Sequence, residues 1–146
     1  MKQNGYFGIG VLNMKSACNY GTLFRTAQIL NADFIFLIGS RFKRQSSDTM
    51  CSWRHMPLFE YKDIQDFNDH RPYDCKLVGI ELDQKAIPIK NYYHPKRACY
   101  LLGAEDHGLT KSALSICQEL VQLPGERSMN VSVAGSIVLF DRIMKG

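Results

Sequence analysis

The run Phe34-Ile35-Phe36-Leu37-Ile38 constrains the fold most, because five apolar residues follow one another with no polar residue between them. A strand with one wet face alternates apolar and polar side chains. An unbroken run suits a strand covered on both faces, as parallel strands are when helices lie above and below the sheet. The residues before it complete such a unit. Tyr6–Leu12 reads as a first strand, and Gly21–Leu30 as a helix with Leu23, Ala27 and Leu30 on one face. This is a βαβ unit, whose crossover should be right-handed.

The rest of the chain continues the alternation. Pro57–Tyr61 reads as a short strand near a sheet edge, since proline cannot donate to a ladder. Ile64–Asn68 suggests a helical turn or two. Lys76–Leu82, Ala98–Leu102 and Leu120–Leu123 read as further strands, and Leu109–Cys117 as a helix capped by Thr110. Ile87–Ile89 and Tyr92-Tyr93 lie in a connection without clear periodicity. Strands alternating with helices predict an α/β fold with a mostly parallel sheet and helices on both faces. The 146 residues suit one domain, over 1–146, large enough to bury a core.

Several function classes are disfavoured at this point. Gly8-Ile9-Gly10 begins like a dinucleotide fingerprint, but the third glycine is missing and the pair lies inside the strand, which argues against a nucleotide-cofactor oxidoreductase. These glycines are expected to mark close approach of another backbone. Five cysteines, at 18, 51, 75, 99 and 117, form no Cys-x-x-Cys pair. They suggest neither a zinc site nor a disulfide framework, and point to a reducing compartment. His55 and His107 have no partners at ligand spacing, so no metal is expected. No apolar run approaches the roughly 18–20 residues that span a bilayer, and Asn4, Asn13 and Lys15 interrupt any leader-like segment. The default expectation is a cytoplasmic protein without a membrane partner.

The charge is uneven. Residues 1–60 carry seven Lys or Arg against three Asp or Glu, whereas residues 61–146 carry eleven of each. Arg41, Lys43, Arg44 and Arg54 concentrate the excess in the long polar stretch Gly39–Arg54. Such a cluster either binds phosphates or is a solvated loop.

Leu123–Arg142, LPGERSMNVSVAGSIVLFDR, joins a turn to a long apolar segment. Asn130 or Ser128 can cap that segment as a helix. Val133, Ile137 and Phe140 recur at helical spacing, as do Ala134, Val138 and Asp141. Ser132, Gly135 and Ser136 would let another backbone come close. The stretch is either a capped, buried helix or a loop and helix enclosing a flat or polar ligand.

Three segments in order resemble the motifs of SpoU/TrmH-type RNA ribose 2′-O-methyltransferases of the SPOUT superfamily. Asn19–Ala27 (NYGTLFRTA) resembles the first, Leu102–Leu109 (LGAEDHGL) the second and Ser128–Ala134 (SMNVSVA) the third, about 80 and 25 residues apart. The resemblance implies a SPOUT-like fold with a C-terminal trefoil knot, and S-adenosyl-L-methionine held by loops after three strands. It places the cofactor against Ile80 and Glu81, then Leu102, Gly103 and Glu105, then Leu123, Ser128, Met129 and Asn130. Arg25 becomes the leading catalytic residue, with Asn19, Glu105, Ser128 and Asn130 beside it. A fork gripping the phosphate next to the target ribose is its expected role, because a guanidinium stays charged at ordinary pH. The bland alternative for Arg25 is an ion pair with Asp33 or Glu105.

The implied reaction is methyl transfer to a ribose 2′-hydroxyl of tRNA or rRNA. The competing reading is a catalytically inactive SPOUT-fold RNA-binding protein. A homodimer is implied too, and the first and last helices carry more apolar and small residues than one sheet face needs. The chain departs from the family pattern in Gly125, which stands where Met is frequent, in a short Gly125–Arg127 stretch, and in lacking a separate RNA-binding domain. RNA grip would then fall on Arg41, Lys43, Arg44 and Arg54 of the catalytic domain, or on a partner.

Overall fold

The computed structural model describes residues 5–14, 17–40, 55–103 and 108–146. Seven parallel strands form one sheet: β1 (Tyr6–Leu12), β2 (Phe34–Ile38), β3 (Leu58–Tyr61), β4 (Lys76–Ile80), β5 (Ile87–Pro88), β6 (Arg97–Leu102) and β7 (Glu119–Gln122). Their spatial order is β3-β2-β1-β6-β4-β7-β5. The helices are α1 (Ala17–Ile29), α2 (Ile64–His70), α3 (Lys111–Ile116) and α4 (Val131–Lys145). The unbroken run at Phe34–Ile38 is a buried strand with all five residues covered.

Two apolar clusters explain why the strands do not alternate in polarity. Ile35 and Leu37 point with Phe7, Ile9 and Val11 toward α1 and α4, against Leu23, Phe24, Ala27, Val138 and Leu139. Phe34, Phe36 and Ile38 point the other way, toward Phe67 of α2 and Ala113 of α3. Gly8 and Gly10 pair in register with Phe34 and Phe36, and a Cβ on either glycine would overlap the partner's ring. The expected close approach is real, but an aromatic ring makes it rather than a backbone. The glycines give room to a stack in which Phe36 lies on Phe67 with centroids 5.0 Å apart.

The local signals act as chemistry requires. Thr110 caps α3, accepting from Ala113 N at 3.2 Å. Of the two candidate caps of α4, Asn130 does the work, its side chain accepting from Ser132 N at 2.9 Å and Val133 N at 3.4 Å. β3 lies at one sheet edge, next to Pro57, and Pro88 sits in β5 at the other, where a missing N–H breaks no ladder. Ile87-Pro88, expected in a connection, makes this last short strand because two residues pair with Val121 and Gln122. α1 begins earlier than periodicity suggested. Buried Tyr20 sits one turn before Phe24, its ring centroid 5.6 Å away, and extends the apolar face backwards.

The C-terminal half of α4 is fastened by a buried polar chain. The Arg142 guanidinium, 3% exposed, donates to the carbonyls of Pro95 (2.7 Å) and Lys96 (3.0 Å) and to the Tyr100 hydroxyl (2.9 Å). His94 Nδ1 lies 2.6 Å from that hydroxyl and Nε2 2.7 Å from Asp141 Oδ2, which Lys145 also reaches at 2.9 Å. With Arg142 donating to it, the hydroxyl gives its own proton to Nδ1, so a neutral His94 with its proton on Nε2 gives both ring nitrogens and the Tyr100 hydroxyl a matched partner. Burial holds the His94 pKa below the ordinary value against the pull of Asp141. The unfolded chain therefore binds the proton more readily. The stabilisation is complete above about pH 6.5 and is lost as pH falls toward the lower folded value. Melting temperature should fall by a few degrees between pH 7 and pH 5, and His94→Gln should lose less over that range. Equal pH slopes in calorimetric melts of the two proteins would remove His94 from this role.

Candidate active site

The sheet order brings β6, β4 and β7 side by side, with Ile80 in register with both Leu102 and Val121. Their carboxyl ends open together, where parallel α/β sheets usually bind ligands. A cleft there opens to solvent. Ile80, Glu81, Leu82, Leu102, Gly103, Gly108, Leu123, Arg127, Ser128, Met129, Val131 and Ala134 line it. Segments far apart in sequence thus meet in one site.

The floor is apolar and covered: Ile80, Leu102, Leu123, Val131 and Ala134 are all buried, while Arg127 and Ser128 are exposed at the rim. Two glycines set the shape of the wall. A Cβ on Gly103 would overlap the Gly108 carbonyl, and one on Gly108 would overlap the Glu81 carboxylate. Gly108 also has φ +62°, which a side chain would strain.

Glu81 ties the wall together. Its Oε2 accepts from Leu109 N at 2.7 Å and its Oε1 from Leu82 N at 3.2 Å. The carboxylate therefore joins the end of β4 to the segment that leads into α3. Strand β4 stops at Ile80, where the next side chain turns to take these amides.

Of the sequence candidates, Ile80, Glu81, Leu102, Gly103, Leu123, Ser128 and Met129 line this one cleft. Asn130 stands at its edge with its side chain spent on the α4 cap. Arg25 does not line the cleft: it lies on α1, exposed, and makes no ion pair among the described residues. Asp33, offered as its bland partner, instead accepts from Phe7 N at 2.9 Å. Asn19 is in the first turn of α1, with its side chain outside the described residues. Glu105, Arg41, Lys43, Arg44 and Arg54 lie outside them as well.

Sequence reading missed Arg127, Leu82, Val131 and Ala134 as lining residues. Arg127 carried a usable signal, a cation just before a helix start that would favour an acid. The remainder are apolar or small and carried none. Among the described residues no group of three or more His, Cys, Asp or Glu is placed to hold a metal ion, and no helix is long and apolar enough to cross a membrane.

Comparison with known proteins places the chain among RNA methyltransferase relatives. A sequence model of the SpoU rRNA Methylase family matches residues 7–140. The 23S rRNA (guanosine-2′-O-)-methyltransferase RlmB of Acinetobacter baylyi is 39% identical over 69 residues, 45% of this chain and 28% of that protein. The tRNA (guanosine(18)-2′-O)-methyltransferase of Escherichia coli is 23% identical over 129 residues, 84% of this chain and 56% of that protein. The chain thus spans about half or less of the length of these relatives. The AdoMet-bound rRNA methyltransferase of Sinorhizobium meliloti superposes with TM-score 0.84 at 23% identity, over 98% of this chain and 57% of that one.

Proposed function

The chain belongs to the SpoU rRNA methylase family, and from that premise we propose that it transfers a methyl group from S-adenosyl-L-methionine to a ribose 2′-hydroxyl of tRNA or rRNA. The observation that carries this reading is the single cleft built from the ends of β4, β6 and β7, with its apolar floor and polar rim. Ile80, Leu102, Leu123 and Met129 would face a flat ring. Gly103 and Gly108 would let backbone groups approach a nucleoside closely. Bound there, the cofactor would supply an electrophilic methyl carbon on a sulfonium. The protein's part is to hold the acceptor in line and keep its charges in place, since positioning supplies much of the acceleration.

Arg25 is proposed to grip the phosphate beside the target ribose, with Ser128, Asn19 and Glu105 as polar neighbours. Arg41, Lys43, Arg44 and Arg54 are proposed as RNA backbone contacts, in a single catalytic domain with the family's C-terminal knot. Titration with S-adenosylhomocysteine, followed by nucleoside analysis of RNA treated with enzyme and cofactor, tests the assignment. A 2′-O-methylated nucleoside is the expected product. Cofactor binding with no transfer to any RNA would favour the inactive RNA-binding alternative, and no binding would reject both.

A homodimer is proposed on two grounds. Arg25 does not line the cleft of its own chain, and the family resemblance implies that it acts near the cofactor of a second copy. The outer face of α4 carries an apolar stripe at helical spacing, Val133, Ile137, Phe140 and Met144, of which Val133, Phe140 and Met144 are 50%, 57% and 68% exposed. α4 packs against α1, the helix that carries Arg25. Phe140→Asp should convert the protein to monomer by light scattering and remove activity, because a charge on this stripe cannot be buried unpaired. A protein that is monomeric before mutation, or a dimer indifferent to Phe140→Asp, would rule out this face.

A further inference from the structure

We propose that Arg127 binds the carboxylate at the methionyl end of the cofactor, so that the cleft distinguishes the whole cofactor from its adenosine fragments. This rests on the methyltransferase reading of the cleft and adds a residue to it. Among the described residues two ionic side chains line the cleft, Glu81 and Arg127. The Glu81 carboxylate is occupied by the amides of Leu109 and Leu82. Arg127 is exposed and makes no hydrogen bond or ion pair among the described residues. Among the described residues it is therefore the cleft's cation without a structural partner.

Its place in the fold sharpens the point. Arg127 lies three residues before Asn130, which caps α4. A helix start carries a partial positive charge and is stabilised by acids nearby, so a guanidinium there gains nothing from the helix. What the two positive features do share is a direction, toward an anion at the rim. The cleft has its apolar floor at Ile80, Leu102, Leu123, Val131 and Ala134, which are buried, whereas Arg127 lines it as an exposed residue. A ligand with an apolar-faced ring and an anionic tail fits that polarity one way round, ring to the floor and tail to Arg127. The planar fork of a guanidinium matches a carboxylate with two parallel hydrogen bonds.

The test compares two probes by calorimetry on the full chain. S-adenosylhomocysteine has the amino-acid tail, and 5′-methylthioadenosine has the same adenosine and sulfur without it. Arg127→Ala should weaken S-adenosylhomocysteine about tenfold, the usual worth of a hydrogen bond to a charged group, and leave methylthioadenosine within about twofold. Arg127→Lys should recover part of the loss, since it keeps the charge but not the fork. Equal weakening of both probes would overturn the proposal, because the residue would then be shaping the cleft. So would unchanged binding of both, including the case in which Arg127→Ala instead flattens the salt dependence of RNA binding, which would assign the guanidinium to a phosphate of the substrate. If the unmutated protein binds neither probe, the methyltransferase reading itself fails.

Discussion

Arg25→Ala is expected to lower single-turnover methyl transfer about a hundredfold or more, the usual loss when a charge-stabilising group leaves a site. Melting temperature and S-adenosylhomocysteine affinity should barely move. Arg25 is exposed on α1 and holds no ion pair among the described residues, so no contact described there ties the fold to it. The apolar face of that helix is supplied by Leu23, Phe24 and Ala27. Arg25→Lys should rescue little, because a point charge does not reproduce a bidentate grip on phosphate. The proposed homodimer carries a sharper forecast. Mixing Arg25→Ala with a variant whose own cleft is damaged should restore activity if cleft and arginine meet across the two-fold of the proposed dimer, since a mixed dimer has one sound copy of each. At equal amounts about one quarter of the sites should work. Near-normal turnover by Arg25→Ala would take the residue out of the mechanism. Lost turnover with no restoration in the mixture would place its action within one subunit.

Much of the architecture could be read from residue order because the governing forces are local and repetitive. Phe34–Ile38 announced a doubly covered strand, and the alternation of strands and helices announced the layers that cover it. Thr110 and Asn130 marked helix starts by the same oxygen-to-amide chemistry that the structure displays. What could not be read was pairing at a distance. Gly8 and Gly10 suggested a close neighbour, but only strand register names Phe34 and Phe36 as that neighbour. In the chain Arg142–Tyr100–His94–Asp141 the two bonds that reach α4 join residues 42 and 47 apart, and no periodicity records such a bond.

The cleft was legible in a different way. Its wall residues were named by resemblance of three short motifs, and the sheet order then brought Ile80, Leu102 and Leu123 to one opening. The resemblance placed Glu81 beside the cofactor, but it gave no hint that the carboxylate is engaged with backbone amides. It also passed over Arg127, which lies in the stretch where this chain is shorter than the family pattern. A residue outside the shared pattern can be found only from what surrounds it in space.

Glu81→Ala is expected to weaken S-adenosylhomocysteine binding by about 1.5–3 kcal/mol, the range for losing hydrogen bonds to a charged group, or about 10- to 100-fold. The effect should arise without any contact between Glu81 and the ligand. Its carboxylate takes Leu109 N at 2.7 Å and Leu82 N at 3.2 Å, and so holds the entry to α3 against the end of β4. Gly108, between the two, is pressed on the carboxylate so closely that a Cβ has no room. Deleting the side chain leaves two partly covered amides without acceptors and frees Gly108 to leave φ +62°. Backbone groups on that wall then lose their fixed positions, and a ligand held mainly through backbone loses affinity with them. Glu81→Gln should fall between, because a carboxamide offers one oxygen where two are used and turns an N–H toward the second amide. Hydrogen exchange separates this clamp from direct ligand contact. In the ligand-free protein the Leu109 amide should exchange faster in Glu81→Ala than in the unmutated chain, in step with the lost affinity. If Leu109 exchange is unchanged while affinity falls, Glu81 meets the ligand itself and is no clamp.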